Sequence, residues 1–287
     1  MFESFLYNFF RGRIWKWLVG SISAMVALFL LGKELLGLSI IKSVGLGILV
    51  LLIAFIVSFI RYLVTNTSRS SAYGDAIVFL KDGFGLINHL KRENSNSNED
   101  IIDSLVQICN TLKKVFDRLT KADCSVSIKL PILNEPISSD AIVENVCRDF
   151  SHYLVRNTAE YKKQVHRVNG STAYQVIINN VLNGERSNFY YLNNNVPKTE
   201  NYQTTSKPAY LEGILPYKSE LVYPVLPMTE PKEKREDGKI KYEIWGFICV
   251  DCPLTYKFNN RYHVQIIEGV ADGVFDVIMK INKSRTL

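Results

Sequence analysis

Apolar and polar positions divide this chain into two stretches of different character. From Trp17 to Gly32 run 16 residues without a charge, and from Ser43 to Ile60 run 18. At 1.5 Å per residue these predict helices of ~24 and ~27 Å, close to the ~30 Å hydrocarbon core of a bilayer. Lys16 and Arg61, with Trp15 and Trp17, stand where snorkelling and interfacial anchoring make up the difference. A second span follows at once and no small-residue cleavage site precedes a mature start. A two-span transmembrane hairpin over 17–63 is therefore expected rather than a cleaved signal peptide. Ahead of it, Phe2, Phe5, Leu6, Phe9 and Phe10 share one helical face, with Glu3, Asn8 and Arg11 away from it. That pattern predicts an amphipathic segment over 1–16 lying in the membrane interface.

After the hairpin the periods change. Ile77, Leu80, Phe84 and Ile87 keep helical spacing across 73–92, weakened by Gly83 and Gly85. With the polar "ENSNSNED" that follows, 64–100 is read as a linker helix and a linker. Ile101, Leu105, Ile108, Leu112, Val115 and Leu119 then follow a four-three rhythm, a helix with Asp100 available as its cap. Packing of that stripe on the domain's own sheet would leave the helix over 73–92 free for dimer contact. "SVSIKL" (125–130) alternates with Val126, Ile128 and Leu130 on one face, and "AIVENVCR" (141–148) reads as a second strand. A helix over 171–184 ends at Gly184, a strand covers 188–192, and a long polar loop follows. Strands over 219–227 and 242–251 form a hairpin whose charged tip is 228–241, and an amphipathic helix over 261–281 closes the run. The fold class is thus α+β, a mostly antiparallel sheet flanked by helices over 101–287, preceded by the transmembrane helical hairpin.

Charge sharpens this division. The net charge of the chain is +6, of which +4 lies within the first 63 residues. The nearly neutral remainder argues against a nucleic-acid binder, which would concentrate basic charge there. Arg11, Arg13 and Lys16 precede the first span and Arg61 and Arg69 follow the second, whereas the connection Lys33–Lys42 carries two bases and one acid. This bias predicts a multi-pass protein of the inner (plasma) membrane with both termini cytoplasmic. The odd count of five cysteines fits reduced thiols rather than a disulfide framework. In "GFICVDCPLTYKF", Cys249 and Cys252 form a C-x-x-C. No second such pair and no paired histidine spacing accompany it, and it ends a strand rather than opening a helix. It reads as two ordinary half-buried thiols, Cys249 within the strand and Cys252 just past its end, with no metal.

Four segments together resemble a GAF domain of a divergent bacterial form. They are "VENVCRD" with Arg148–Asp149, "GSTAYQVIINN", "LPYKSELVYPVL", and "IWGFICVDCPLTYKFNNRYHVQIIEGVADGV" with its G-x-[IL]-x-V-D. The resemblance extends over about 100–282, and the order and spacing of the segments carry it. It implies a small ligand held between the sheet and the helices or loops over one face, with Arg148, Asp149, Thr172, Tyr174, Tyr190, Tyr217 and Asp251 able to line that site. The chain lacks the N-K-F-D-E pattern of nucleotide-binding members, so neither a cyclic nucleotide nor any other cofactor is named. Two readings of Arg148–Asp149 stay open, an internal bridge or an anion-binding arginine. The tyrosines read first as packing aromatics.

No nucleophile elbow, phosphate loop, paired-histidine zinc motif or dinucleotide fingerprint is present, so the chain is expected not to be an enzyme. No catalytic output domain follows before Leu287, which leads to the expectation that output runs through the hairpin or a partner. The expected function is that of a membrane-anchored signal-transduction protein, a homo-oligomer or the partner of another signalling protein, whose cytoplasmic domain binds a small molecule or a protein. The alternative is a membrane effector of a bacterial defence system, in which ligand binding clusters the hairpins and disrupts the bilayer. A scaffold that has lost its ligand is the third reading.

Overall fold

The computed structural model describes residues 40–92, 97–132, 135–156, 166–184, 186–205, 214–227, 240 and 242–285. The interfacial segment over 1–16, the first span, most of the Lys33–Lys42 connection and nearly all of the 228–241 tip lie outside the described residues. The chain divides into two units, Met1–Ser71 and Ala72–Leu287. The first helix, α1 (Ile40–Arg92), contributes residues 40–71 to one and 72–92 to the other.

Within the first unit, α1 carries the second of the two expected spans. Its stretch Ile48–Arg92 is the one helix among the described residues long and apolar enough to cross a membrane, and none of its most apolar 18-residue window is buried. Ile48, Leu52, Phe55, Val57 and Val64 all expose their side chains.

The second unit is built on a six-stranded sheet in the order β3-β2-β1-β6-β5-β4. The strands are β1 (Ser125–Pro131), β2 (Ile142–Arg148), β3 (His166–Arg167), β4 (Tyr191–Asn193), β5 (Ser219–Pro224) and β6 (Phe247–Cys252). Every pairing is antiparallel, which bears out the α+β expectation. The remaining helices are α2 (Asn98–Thr120), α3 (Phe150–Arg156), α4 (Thr172–Asn183) and α5 (Tyr262–Arg285). The sequence pattern had no place for α3 or for the two-residue β3.

Period-two alternation sorts the central strands between two cores. Val126, Ile128, Ile248, Val250 and Cys252 join Leu105, Ile108, Leu112 and Phe116 of α2 and Ile267, Val270 and Val274 of α5. Phe247, Cys249 and Val222 join Ala173, Tyr174, Ile177, Ile178 and Val181 of α4 on the other face. All six residues of β5 and all six of β6 are buried, because both faces of these strands are covered. Cys252 is the last residue of β6 rather than a residue beyond it, and both it and Cys249 are fully inside.

Local chemistry fixes the helix ends. The N-cap of α2 is Ser97, which accepts from Asp100 N–H, while the Asp100 carboxylate accepts in return from Ser97 N–H at 3.0 Å. The expected role of Asp100 as cap is thus corrected: it is the reciprocal partner of a capping box. Gly184 ends α4 at φ 77, a conformation that favours glycine. The expectation of a free helix over 73–92 is corrected too. Ile87 and Leu90 are buried in the core shared by α2 and α5. A Cβ on Gly273 would stand 2.8 Å from Ile87 Cδ1, so glycine there admits the close approach of α1 to α5. Of the apolar stripe, Ile77 and Phe84 remain exposed.

Candidate functional site

The alternation that buries Val126 and Ile128 against α2 turns Ser125, Ser127 and Lys129 to the opposite, α4 face. Strand register lines up their neighbours. Ser127 lies opposite Arg148 on β2 and opposite Cys249 on β6, and Ser125 lies opposite Asp251. Glu220 on β5 lies opposite Asp251, and Lys129 lies opposite Phe247. Four ionisable side chains therefore share one sheet face, and all are buried: Lys129 at 6%, Arg148 at 2%, Glu220 at 8% and Asp251 at 9% exposure.

The walls come from α4 and from the loop after β4. Tyr174, on the first turn of α4, stacks on Phe247 with ring centroids 4.3 Å apart and lies under the Lys129 ammonium, 5.5 Å from its centroid. Its hydroxyl is 3.8 Å from Cys249 Sγ. Tyr202, from the loop, donates its hydroxyl to Glu220 Oε2 at 2.8 Å and is 3.0 Å from the hydroxyl of Tyr217. Thr172 pins this loop: its backbone N–H donates to Gln203 O and its Oγ1 accepts from Gln203 N–H at 2.9 Å. On the far side His166 Nδ1 lies 2.9 Å from Thr205 Oγ1.

The electrostatics follow from burial and mixed charge. Burial, reinforced by the Asp251 carboxylate, pushes the Glu220 carboxyl up to about 8; the Tyr202 hydroxyl and Lys129 pull it back only in part. Burial and then the charges of Lys129 and Arg148 push His166 down to about 2, so its imidazole is neutral. Burial also drives the hydroxyls of Tyr174, Tyr202 and Tyr217 far above the ordinary phenol range, which keeps them as donors.

Of the residues singled out from the sequence, Arg148, Tyr174, Tyr217 and Asp251 come together on this face. Asp149 does not join them. Its side chain, 0% exposed, accepts from Val126 N–H at 2.9 Å, Ser151 Oγ at 2.7 Å and His152 N–H at 3.1 Å, which caps α3 and ties it to β1. Burial opposes its charge, but these bonds and His152 outweigh it and hold the carboxyl well below the usual range. Arg148 and Asp149 are linked through a third residue. Ser125 Oγ accepts from Arg148 Nη1 at 2.7 Å and lies 3.3 Å from Asp149 Oδ2. Tyr190 is also corrected: it packs with Leu192 against the α2–α5 core, and Tyr191 faces α4 in its place. Thr172 fastens the loop, and Tyr174 is a packing aromatic. Lys129, Glu220, Tyr202 and His166 were missed, although the period-two pattern of "SVSIKL" already put Lys129 on the polar side of its strand. Among the described residues no group of three metal-ligating side chains occurs.

No family model matches the chain, and no curated protein matches it. Solved structures do. The GAF domain of a phosphoenolpyruvate-protein phosphotransferase from Acinetobacter is 12% identical, with a TM-score of 0.41 over 73% of this chain and 98% of that one. A free methionine-R-sulfoxide reductase from Neisseria meningitidis, solved with its substrate, is 11% identical, with a TM-score of 0.40 over 73% of this chain and 93% of that one. A far-red cyanobacteriochrome photoreceptor is 16% identical, with a TM-score of 0.38 over 63% and 86% of the two chains. GAF domains are thus among the similar structures, as the sequence resemblance implied. Likeness of this degree says nothing about ligand or reaction. It does correct one expectation. Methionine sulfoxide reductases stand beside the GAF domains at comparable similarity, so missing catalytic motifs do not make this chain a non-enzyme.

Proposed function

We propose that this chain is a membrane-anchored sensor whose domain over 101–287 binds a small molecule carrying both a cationic and an anionic group. The observation that supports the reading most is the burial of two cations and two acids on one sheet face beside α4. Burying charge is costly, and buried ion pairs seldom repay that cost by themselves. Glu220 and Asp251 also stand directly opposite each other on neighbouring strands, where like charges repel. A ligand ammonium between these acids, with its carboxylate or phosphate toward Arg148, relieves both penalties. Tyr202 and Tyr217 supply hydroxyl donors beside the acids, and the loop that carries Tyr202 forms the cover.

Native mass spectrometry of the full-length chain released from detergent tests this. The expected result is a bound small molecule, present at one per chain and absent from the Arg148→Met variant. A wild-type chain that carries nothing, and whose melting temperature does not respond to cell metabolite extract, overturns the reading.

In the same proposal, the runs over 17–63 form a two-span hairpin in the inner membrane with both termini cytoplasmic, and the sensor passes its signal through a second copy or a partner signalling protein. The exposed apolar window of α1 supports a bilayer around the second span. A cysteine introduced at Leu38→Cys is expected to react with a membrane-impermeant maleimide in intact cells. Reaction only after permeabilisation would reverse the orientation.

A further inference from the structure

The C-x-x-C of β6 is not a pair, because residues three apart in a strand face opposite sides. Cys249 turns to α4 and Tyr174; Cys252 turns to the α2–α5 core. The partner of Cys252 comes from elsewhere in the sequence. The pairing of β1 with β6 begins at Ser125 opposite Asp251, and extending that register one residue beyond β1 brings Cys124 across from Cys252. Residues directly opposite on antiparallel neighbours lie about 4.5–5.5 Å apart at Cα. That separation falls inside the ~4.4–6.8 Å range a disulfide spans. The two thiols already hydrogen-bond to each other.

We propose that Cys124 and Cys252 form a two-electron redox site that a hydroperoxide converts to a disulfide. Their surroundings assign different roles to the two sulfurs. Cys252 receives the Cys124 thiol and the Leu254 N–H, and the Lys257 ammonium lies close enough to favour a thiolate there. Lys257 is fixed in turn by donating to Thr120 O at 3.0 Å. Together these push the Cys252 thiol down to about 7, while Cys124, as the donor, moves far up. Both sulfurs are buried, but their chain neighbours reach the surface: the Asp123 side chain is 71% exposed and Leu254 is 43% exposed. A small peroxide thus needs only a local opening of the two flanking loops.

The other thiols lack this combination. Cys109 and Cys147 are 3.7 Å apart at sulfur, but burial on the inner face of α2 drives the Cys109 thiol well up. Burial likewise pushes Cys249 up to about 11, and its contact is a tyrosine hydroxyl. Thiolate character selects among buried pairs of similar spacing.

The chemistry balances in two steps. The Cys252 thiolate attacks the distal oxygen of the hydroperoxide; the O–O bond breaks, the alcohol (water, for hydrogen peroxide) leaves with a proton, and Cys252 becomes a sulfenic acid. The Cys124 sulfur then attacks the Cys252 sulfur. An S–S bond forms, the S–O bond breaks, and hydroxide leaves as water with the Cys124 proton. Two thiols have lost two electrons to one peroxide.

The test uses the reduced full-length chain in detergent, treated with hydrogen peroxide, then denatured, alkylated, digested and mapped by mass spectrometry. Cys124 and Cys252 are expected to leave the alkylated pool together and to appear as one cross-linked peptide pair that dithiothreitol reverses. Cys109, Cys147 and Cys249 are expected to remain alkylated. A Cys109–Cys147 cross-link that forms first, loss of Cys252 without Cys124, or five untouched thiols each overturn the proposal. In Cys124→Ala, a dimedone adduct is expected to accumulate on Cys252; an adduct on another cysteine instead refutes the assigned order of attack. The wild-type map decides the pairing even if that variant does not fold.

Discussion

Replacing Asp149 with alanine is expected to cost the folded chain about 3–5 kcal/mol, the scale at which an interior charge network loses one member. The carboxylate is fully buried and joins three elements: it accepts from Val126 N–H of β1, caps α3 through His152 N–H, and meets the Ser125 hydroxyl that also accepts from Arg148. Removing it strands those donors and leaves the guanidinium without the acid one hydroxyl away. Asp149→Asn keeps the shape and one acceptor, so a smaller loss of about 1–3 kcal/mol is expected. The pH dependence has a definite sign. A carboxyl held below its ordinary range contributes stability above the usual value of about 3.9, and that contribution is lost as pH falls through the folded-state value. Wild type should therefore lose stability on acidification more steeply than Asp149→Asn. Chemical unfolding followed by Trp245 fluorescence measures both. A loss below ~1 kcal/mol for the alanine variant would mean that the three donors find other partners.

Glu220→Gln is expected to act in the opposite direction. Burial and Asp251 place the Glu220 carboxyl at about 8, above its unfolded value, so the folded chain favours the protonated form. That stability is fully present below the unfolded value of about 4.3 and is lost as pH rises through the folded one. Each unit of separation corresponds to ~1.4 kcal/mol, so the ligand-free wild type should weaken progressively between about pH 4 and pH 8, with no further loss from this group above that. The glutamine variant keeps an oxygen for the Tyr202 hydroxyl and carries no charge to lose, so its profile should be flatter and its stability higher at the alkaline end. A cationic ligand group beside Glu220 adds a second signature: affinity that rises with pH, with protons released on binding. Parallel stability profiles for the two proteins would show that the acid is not strained by its surroundings.

The elements of this domain were legible in the sequence where a period ran for several residues. The four-three stripe from Ile101 gave α2, alternation in "SVSIKL" and "GFICVD" gave β1 and β6, and Gly184 marked the end of α4. The short α3 and β3 offer too few residues for any period to register. The candidate site was legible only in part, for a different reason. Alternation says which side of a strand a residue takes, but not what covers that side. The polar side of β1 reads as solvent-facing until α4 and the loop bearing Tyr202 are seen to enclose it, and only then does Lys129 become a buried charge. Tyr190 was chosen over Tyr191 because parity in β4 depends on pairing with Val222 of β5, a long-range fact.

Because neighbouring residues on β1 and β6 serve opposite sides of the sheet, the two tasks of the domain are written in interleaved but separate letters. Positions 125, 127 and 129 with 247, 249 and 251 face α4; positions 126 and 128 with 248 and 250 hold the layer of α2 and α5. Substitutions at Ser127, Lys129 or Asp251 change the chemistry of the α4 face while the packing of α2 and α5 stands unchanged. An insertion or deletion in either strand has no such freedom, since a one-residue slip exchanges the two alphabets and drives Lys129 and Asp251 into the apolar layer. Divergence in this domain should therefore proceed by substitution within the central strands and by changes of length only at the loops.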